Sequence, residues 1–458
     1  MKHRISDLLT NRRDLLRLGG YGLLGAFADQ ALWPLQARAA GRSNPRSTAR
    51  SAIVIELAGA MSHTDCFDFK EGPGTPKDLD VREVRPGLYV SQRLFPELSK
   101  EMHRIAIVRS LKSHEVVHFR GQYYTQAGRP LNPAIAPEIP SIGAVVAYEL
   151  ESQRRESDTF PTYIGCNLDT SGCGALSTGF LHPRHSVLDV NLKSGIGGLA
   201  VDGDALQLLE ERYRLLAALD EATAPTRAGR DRAFGAFRDF QASAYGVLRD
   251  PRWPQAFHMT EEERKRYGDN EVGLGCLVAR NLIRADAGAR YLHIVHPDWD
   301  HHKAIFDAQA KSNHYIRCNE FDRALAHLLR DLDASGHLDK TLVAVITEFG
   351  RVPGPLNGIA GRHHHNLAYH ALFAGGGVQG GRILGKTDAT GDRVLDSGWR
   401  HKSMQTRTEN LYATIYSALG IDWRKEITNT PSKRSYRYVD ILGATEFVID
   451  DEIAELFA

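Results

Sequence analysis

Cysteine is scarce in this sequence, and its spacing excludes the commonest uses of the residue. The chain has 5 cysteines in 458 residues, and no two of them form a C-x-x-C pair. An odd and sparse set does not make a disulfide framework, and without C-x-x-C a cysteine-type zinc site is unsupported. Cys166 and Cys173 lie in one Gly-rich stretch, where they are either bridged in an oxidising compartment or two buried thiols.

An excess of charge and long apolar runs are also missing. The whole chain has 57 basic and 56 acidic residues, which become 51 and 53 once the six basic and three acidic residues of positions 1–39 are set aside. Near neutrality argues against a nucleic-acid-binding protein and against a binder of anionic membranes. After residue 39 no segment is apolar for long enough to predict a transmembrane helix.

Two further familiar sites, a nucleophile elbow and a dinucleotide-binding loop, are not supported by the sequence. The sequence has no G-x-S-x-G, which excludes a serine hydrolase with a nucleophile elbow. Three glycines at 375–377 follow an apolar run, but no helix with the right spacing comes after them. They therefore predict a turn rather than a dinucleotide-binding site.

Residues 1–39 have the three parts of a bacterial export signal. The pattern N-R-R-D-L-L-R at 11–17 precedes a weakly apolar stretch at 18–35, and Ala37-Arg38-Ala39 supplies a small-x-small cleavage pattern. Twin-arginine signals direct proteins out of the bacterial cytoplasm. We therefore predict a twin-arginine signal peptide and a periplasmic or extracellular mature chain. No cysteine follows the cleavage pattern, so a lipid anchor is not indicated.

Residues 40–458 alternate apolar runs with helical patterns and predict one large α/β domain. This alternation favours a mostly parallel central sheet covered on both faces. A stretch of about 203–270 lacks strand patterns and predicts an inserted helical block, while residues 161–200, rich in Gly, His and Ser, are expected to be irregular. The predicted strands include 52–58, 104–108, 290–295, 341–347 and 369–374.

Polar side chains follow four of these strands at the point where each strand ends. The carboxyl ends of parallel strands share one edge of a sheet, so residues far apart in the sequence converge there. The last exit runs from Glu348 to the triplet His363-His364-His365. The other polar residues of the four exits are Ser62, His63, Asp65, Asp68, His114, His118, Arg120, Asp298, Asp300, His301, His302 and Arg351.

The chemistry of these groups indicates a metal site. Asp, Glu and His together suit Zn²⁺, Mn²⁺ or Fe better than Ca²⁺, which uses oxygen ligands alone. The site holds either one ion or two ions about 3.5–4 Å apart that clamp the oxygens of an ester displacement. Arg120 and Arg351 either bind a phosphate or sulfate or form ordinary salt bridges. Ser62 is either a nucleophile or a turn residue.

Several motifs resemble those of an exported bacterial family, domain of unknown function 1501, which is grouped with the alkaline phosphatase and sulfatase superfamily. They are G-A-M-S-H-T-D-C-F-D at 59–68, D-W-D-H-H at 298–302, T-E-F-G-R-V-P at 347–353, G-R-H-H-H at 361–365, A-G-G-G-V-Q-G-G-R-I-L-G at 374–385 and T-I-Y-S-A-L-G-I-D at 414–422. The resemblance implies an alkaline phosphatase-like three-layer α/β sandwich, divalent metals and cleavage of phosphate or sulfate esters.

The resemblance and the strand exits together give the predicted site. The metal ligands are expected to be Asp65, Asp300, His302, Glu348, His364 and His365, and the catalytic residues Ser62, His63, Arg120 and Arg351. Either Ser62 or a water held by the metal is the predicted nucleophile, and a small ester or anion is the expected substrate.

The sequence also departs from the superfamily pattern, and this leaves an alternative function open. Gly59 stands where superfamily enzymes carry an Asp, Phe349 stands where they carry a His, and the formylglycine motif of sulfatases is absent. The alternative is a non-catalytic exported binding or scaffold protein on the same fold. The resemblance suggests an exported protein as its partner.

Overall fold

The computed structural model describes residues 37–39, 43–192, 203–227, 232–440 and 449–457. Residues 1–36, which carry most of the predicted signal peptide, lie outside the described residues, so the signal stays a prediction. Residues Ala37–Ala39 form a short strand antiparallel to Lys425–Ile427. In the described part of the chain, no helix combines the length and the apolar character needed to span a membrane.

An eight-stranded sheet forms the centre of the molecule. The strands are β1 (Ser51–Leu57), β2 (Ile105–Leu111), β3 (Tyr163–Cys166), β4 (Leu188–Val190), β5 (Tyr291–His296), β6 (Thr341–Ile346), β7 (Tyr369–Ala374) and β8 (Ile383–Leu384). Their order in space is β8-β2-β7-β6-β1-β5-β3-β4, and β7 runs antiparallel to both of its neighbours while the other pairs are parallel. The prediction of a mostly parallel sheet is therefore confirmed.

Helices cover the sheet and form a separate helical stretch. Between residues 203 and 267 the described residues that lie in secondary structure are all helical, and that this stretch is an inserted block stays a prediction. The helices are α1 (His118–Ala127), α2 (Ile142–Glu149), α3 (Gly203–Arg227), α4 (Arg232–Arg249), α5 (Arg252–Ala256), α6 (Glu261–Tyr267), α7 (Glu271–Ala285), α8 (His314–Ala334) and α9 (Thr408–Ala418).

Two hydrophobic cores lie on the two faces of the sheet. Ile53 and Ile55 of β1 pack in one core with α7 and α8, while Val54 packs in the other with α2 and α9. Successive side chains of a strand point to opposite faces, so a strand covered on both sides is apolar at most positions. The result is the three-layer α/β sandwich that the alternation predicts.

Smaller strand pairs lie outside the central sheet. The pair Gly350–Arg351 with His364–His365 places Arg351 directly opposite His364, which matters for the site below. Other pairs are Val81–Arg85 with Leu88–Ser91, Lys386–Thr387 with Val394–Asp396, and Lys425–Ile427 with Tyr436–Arg437.

Residues 161–192 are less irregular than the sequence predicts, so the prediction for 161–200 is wrong in part; residues 193–200 lie outside the described residues. Tyr163–Cys166 and Leu188–Val190 are the strands β3 and β4 at one end of the sheet. A four-residue strand that contains Gly165 has too short a pattern to be recognised. Its conformation is decided by pairing, with Tyr163 opposite Tyr291 of β5, because strand propensity depends strongly on tertiary context.

Residues 380–387, G-G-R-I-L-G-K-T, have the letters of a phosphate-binding loop but not its structure. Such a loop leads from a strand into a helix whose first amides hold the phosphate. Here β8 lies within the segment, and Lys386–Thr387 begins a hairpin with Val394–Asp396. In the part of the chain that is described, the next α-helix is α9, which starts at Thr408.

The strands β1, β2, β5 and β6 all run in the same direction. Their carboxyl ends therefore lie at one edge of the sheet, as the four polar exits require. The candidate site is built at this edge.

Candidate metal centre

Four side chains from different exits meet at the carboxyl edge of the sheet. His118, Asp300, His302 and His364 each offer one ligand atom, and these atoms all lie within 4.8 Å of one another. The residues come from the loop after β2, the loop after β5 and the loop after β6. Only the fold brings them together, because more than a hundred positions separate the first from the second in the sequence.

The carboxylate of Asp300 is the centre of this group, called here the Asp300 cluster. Its Oδ1 lies 3.0 Å from Nε2 of His118, 3.1 Å from Nε2 of His302 and 3.6 Å from Nε2 of His364. The Nε2 atoms of His302 and His364 face each other at 2.7 Å. Side-chain exposure ranges from 20% for His364 to 43% for Asp300, so solvent reaches the cluster.

The loop after β5 is held in place by its own backbone. The amide of buried Trp299 donates to the carbonyl of Ala58 at 3.1 Å. Gly59 has a φ of 111°, and a Cβ there would come within 2.5 Å of the amide nitrogen of Asp300. Only glycine permits this close approach, which explains why the first exit has no side chain at position 59.

Glu348 lies behind the cluster and orients it. Its side chain has no exposed area, and its Oε1 lies 2.7 Å from Nδ1 of His118. The same oxygen accepts from the amide of Gly59 at 2.9 Å and from Gln122 at 3.3 Å. A carboxylate that holds the outer nitrogen of a histidine fixes which nitrogen faces a metal. The structure thus places Glu348 beside the ligand group rather than in it.

Arg351 is also buried and is already used by the protein. Its Nη2 donates to Oδ1 of Asp300 at 2.5 Å, and its other nitrogens donate to the carbonyls of Ala60 and Arg362 at 3.1 Å each. The guanidinium therefore neutralises Asp300 from the protein side. These contacts leave it poorly placed to clamp an anion bidentately.

The charged groups of the cluster stabilise one another, with His118 favoured in its protonated form and Asp300 in its ionised form. Burial lowers the pKa of His118, but hydrogen bonds to Asp300 and Glu348 outweigh it and raise this pKa to about 9. Burial opposes ionisation of Asp300, yet hydrogen bonds from His118 and His364 and the charge of Arg351 hold its pKa well below the usual range. Burial lowers the pKa of His302. The cluster therefore stabilises a positive charge at His118. Without a metal this charge is carried by a proton, and the same surroundings would stabilise a bound metal cation.

The predicted ligand Asp65 belongs to a different buried network. Arg362 binds both of its carboxylate oxygens, at 2.7 and 2.9 Å, and the hydroxyl of Ser62 donates to Oδ2 at 2.5 Å. Asp65 and Ser62 are each 1% exposed, and Arg362 is 3% exposed. The hydroxyl of Ser62 is therefore bound to a carboxylate whose charge Arg362 already balances.

The predicted residues His63 and His365 stack on each other away from the Asp300 cluster. Their ring centroids are 5.8 Å apart, and their Nε2 atoms contact the carbonyls of Gly391 and Asp392 at 2.8 Å. Burial lowers the pKa of His63 to about 4, so this ring is neutral. His363, the third member of the triplet, is exposed, and its ring centroid lies 5.6 Å from that of His302.

Arg120 and Asp68 also have local partners. The Nε of Arg120 donates to Glu115 at 2.8 Å, and nearly half of its side chain is exposed. Asp68 accepts from Thr387 at 2.5 Å and pairs with Lys70 at 3.2 Å. The contact of Asp68 with Thr387 connects the loop after β1 to the hairpin after β8. Neither Arg120 nor Asp68 belongs to the Asp300 cluster.

His118 is the cluster residue that was not among the predicted ligands, although the sequence carries a signal for it. Residues 114–118 read H-E-V-V-H, the letters of a zinc-protease motif, which needs a helix to place both histidines on one face. Here α1 begins only at His118, and His114 lies against Arg407 at 3.0 Å. Of the two histidines, His118 reaches the Asp300 cluster and His114 does not. The segment therefore does not have the arrangement of a zinc-protease site.

Comparison with solved structures finds weak likenesses. One is a protein in the alkaline phosphatase superfamily from Vibrio parahaemolyticus, with 14% identity, 85% of this chain and 70% of that chain covered, and a TM-score of 0.35. Another is the PsFucS1 sulfatase from Pseudoalteromonas sp., with 11% identity, coverage of 96% and 77%, and a TM-score of 0.40. A third is the alkaline phosphatase of the Antarctic bacterium TAB5, with 13% identity, coverage of 72% and 92%, and a TM-score of 0.31. No inference about activity rests on them.

Comparison with curated proteins gives no match. The sequence does match the family model described as "Protein of unknown function (DUF1501)" over residues 49–448. That match spans most of the chain and includes every residue of the Asp300 cluster. The chain therefore belongs to the DUF1501 family, as its motifs predict.

Proposed function

We propose that the protein is an exported, metal-dependent hydrolase of phosphate or sulfate esters. The observation that carries this proposal is the Asp300 cluster, in which three imidazoles and one carboxylate converge at a solvent-reachable sheet edge. Ligand sites in open α/β sheets lie beyond the carboxyl ends of strands. A site of this kind with perturbed titratable groups is the place to expect chemistry.

The residues of the cluster fit a divalent transition metal. Imidazole and carboxylate suit Zn²⁺, Mn²⁺ or Fe²⁺, and the buried carboxylate of Glu348 provides the outer-shell partner that ligating histidines require. His118, Asp300, His302 and His364 would hold the ion. Once bound, it would act as a Lewis acid that polarises an oxygen of the ester.

The remaining residues of the site have supporting roles in this proposal. Glu348 keeps Nδ1 of His118 protonated and Nε2 directed at the ion, while Arg351 keeps Asp300 ionised. The hydroxyl of Ser62 is buried and donates to Asp65, whose charge Arg362 balances. We therefore favour water over Ser62 as the nucleophile.

His364→Ala tests the proposal, with His363→Ala as the matched control. Both are histidines of the same loop, but only His364 lies in the cluster. We expect the purified mature protein to bind about one equivalent of a divalent transition metal and to hydrolyse nitrophenyl phosphate or sulfate. His364→Ala should abolish both, and His363→Ala should retain both. No metal after reloading, or equal activity in the two variants, would refute the proposal.

Metal affinity is expected to depend on pH through His118. A metal binds the neutral imidazole, so a proton must leave His118 at any pH below its pKa of about 9. The affinity for Zn²⁺ should therefore rise about tenfold per pH unit below about pH 9 and level off above it. Competition titrations at several pH values measure this slope. Glu348→Gln removes one contact that raises this pKa and should move the levelling-off to lower pH, whereas a flat profile in the wild type would contradict the assignment.

A second candidate function is a non-catalytic binding protein that acts with an exported partner. It is favoured by the apolar surface beside the cluster, where Val116, Val117 and Phe119 are 44%, 52% and 50% exposed. Exposed apolar side chains next to a polar site are typical of interaction surfaces. A partner retained by the wild type and lost in Phe119→Ser, together with no hydrolysis of any ester, would favour this function over the first.

A further inference from the structure

A second group of metal-ligating side chains lies inside the protein, separate from the Asp300 cluster. Cys66, His314 and Cys318 each offer one ligand atom, and these atoms lie within 4.8 Å of one another. The Sγ of Cys66 is 3.3 Å from Nε2 of His314. All three side chains have no exposed area, and all five cysteines of the chain are free thiols in this structure.

Two local structures build this group. Cys66 follows a single 3-10 turn, His63–Asp65, after the first strand exit. His314 and Cys318 lie four residues apart in the first turns of α8, which Asn313 caps by accepting from the amide of Ile316 at 3.0 Å. Residues at this spacing lie on one face of a helix, so both point at the loop that carries Cys66.

The imidazole of His314 lacks the hydrogen bonds that a buried histidine needs. Among the described residues its Nδ1 has no hydrogen-bond partner, and its Nε2 contacts only the thiol of Cys66. The rings of Trp299 and Phe306 pack edge-on against it at 5.9 and 5.7 Å. A polar group this poorly satisfied in an apolar surrounding costs free energy, and a missing ion is one of its standard explanations.

The donor atoms of the group suit a soft metal ion. Two cysteine sulfurs and one imidazole nitrogen, all buried and within reach of one another, make a Cys₂His ligand set.

We propose that Cys66, His314 and Cys318 bind a thiophilic metal ion, with Zn²⁺ the expected ion, in a buried structural site. Thiolate and imidazole are the ligands of structural zinc, and Cu⁺ shares the preference for sulfur. Binding would form two metal–sulfur bonds and one metal–nitrogen bond, and the thiol protons would leave to the buffer. Zn²⁺ would complete its usual four ligands with a water molecule.

Such a site would fasten the first strand exit to α8. The exit loop also carries Gly59 and Ala60, whose backbone groups bind Glu348 and Arg351 behind the Asp300 cluster. The proposal does not depend on the hydrolase function, because the site would support the same loop in a binding protein.

Cobalt substitution tests the proposal on the full mature chain, purified with reductant and stripped of metal. The Asp300 cluster has no sulfur ligand, so a thiolate-to-cobalt charge-transfer band in the near ultraviolet reports this site alone. We expect the band to saturate at about one equivalent, to vanish in Cys318→Ser and to persist in Cys276→Ser, a buried cysteine outside the group. It should also persist in Asp300→Asn.

A measurement on the wild type keeps the test decisive if Cys318→Ser does not fold. X-ray absorption of the zinc-loaded protein should show sulfur at about 2.3 Å from the metal, and metal analysis of the protein as isolated distinguishes zinc from copper. A charge-transfer band unaffected by Cys318→Ser, a metal with nitrogen and oxygen neighbours only, or a Cys66–Cys318 disulfide in the protein as isolated would each overturn the proposal.

Discussion

Asp300→Asn is expected to lower the affinity for a divalent transition metal by more than about 100-fold. Loss of a group that only supports a metal ligand lowers the affinity by up to about 100-fold, and loss of a proposed ligand should cost more. Oδ1 of Asp300 lies within 3.6 Å of all three imidazoles, so the substitution removes the one negative charge among the ligands. Asparagine keeps the size of the side chain and an oxygen that accepts from Arg351. The fold should therefore remain intact while metal binding and hydrolysis are lost together.

Asp298→Asn is the matched control for this prediction. Asp298 lies two residues earlier in the same loop, is exposed and has a φ of 67°, a backbone conformation that asparagine also tolerates. Competition titrations with Zn²⁺ and initial rates on nitrophenyl esters measure both variants. If Asp298→Asn lost as much affinity as Asp300→Asn, the loop as a whole rather than the carboxylate of Asp300 would bind the metal.

Arg362→Met is expected to lower the free energy of unfolding by about 3–5 kcal/mol, because it leaves the carboxylate of Asp65 buried without its counter-charge. Arg362 binds both oxygens of Asp65 and also donates to the carbonyls of Val352 and Gly354 at 3.0 and 2.9 Å. Methionine keeps most of the apolar volume, so the loss reports the ion pair together with these two hydrogen bonds. Denaturant unfolding followed by circular dichroism measures it.

Arg120→Met is the comparison that isolates burial. Arg120 also pairs with a carboxylate, that of Glu115, but 47% of its side chain is exposed, and an exposed pair contributes less than about 1 kcal/mol. Adding Asp65→Asn to Arg362→Met should recover part of the lost stability because it removes the unpaired charge. Equal losses in Arg362→Met and Arg120→Met would contradict the assignment of Asp65 to a structural ion pair.

Much of the fold follows from local sequence patterns. The apolar, β-branched run of β1 predicts a strand covered on both faces, and the alternation of such runs with helical patterns predicts a mostly parallel sheet. Both predictions are confirmed. The short strand β3 escaped prediction because its four residues take their conformation from pairing with β5.

The candidate site, like the fold, was predicted in part from the sequence and decided in part by the tertiary structure. Polar residues at the ends of parallel strands are enough to predict that Asp300, His302 and His364 converge, since topology alone brings strand exits to one edge. Which of these side chains contact one another depends on how they pack in the folded protein, which the local sequence does not show. Arg362, which lies in the G-R-H-H-H motif but was not among the predicted site residues, binds Asp65 and keeps it out of the Asp300 cluster. His118, at the start of α1, joins the cluster instead.

The sequence by itself determined the family, the layered α/β architecture and the edge of the sheet at which the polar groups gather, because these depend on hydrophobic periodicity and on short motifs. Only the tertiary structure decided which of the candidate metal ligands lie together in the Asp300 cluster and which form buried ion pairs. It also brought Cys66 beside the helical pair His314 and Cys318, to which no spacing rule connects it. Ligand geometry depends on contacts between segments distant in the sequence, and a local pattern carries no record of those distances.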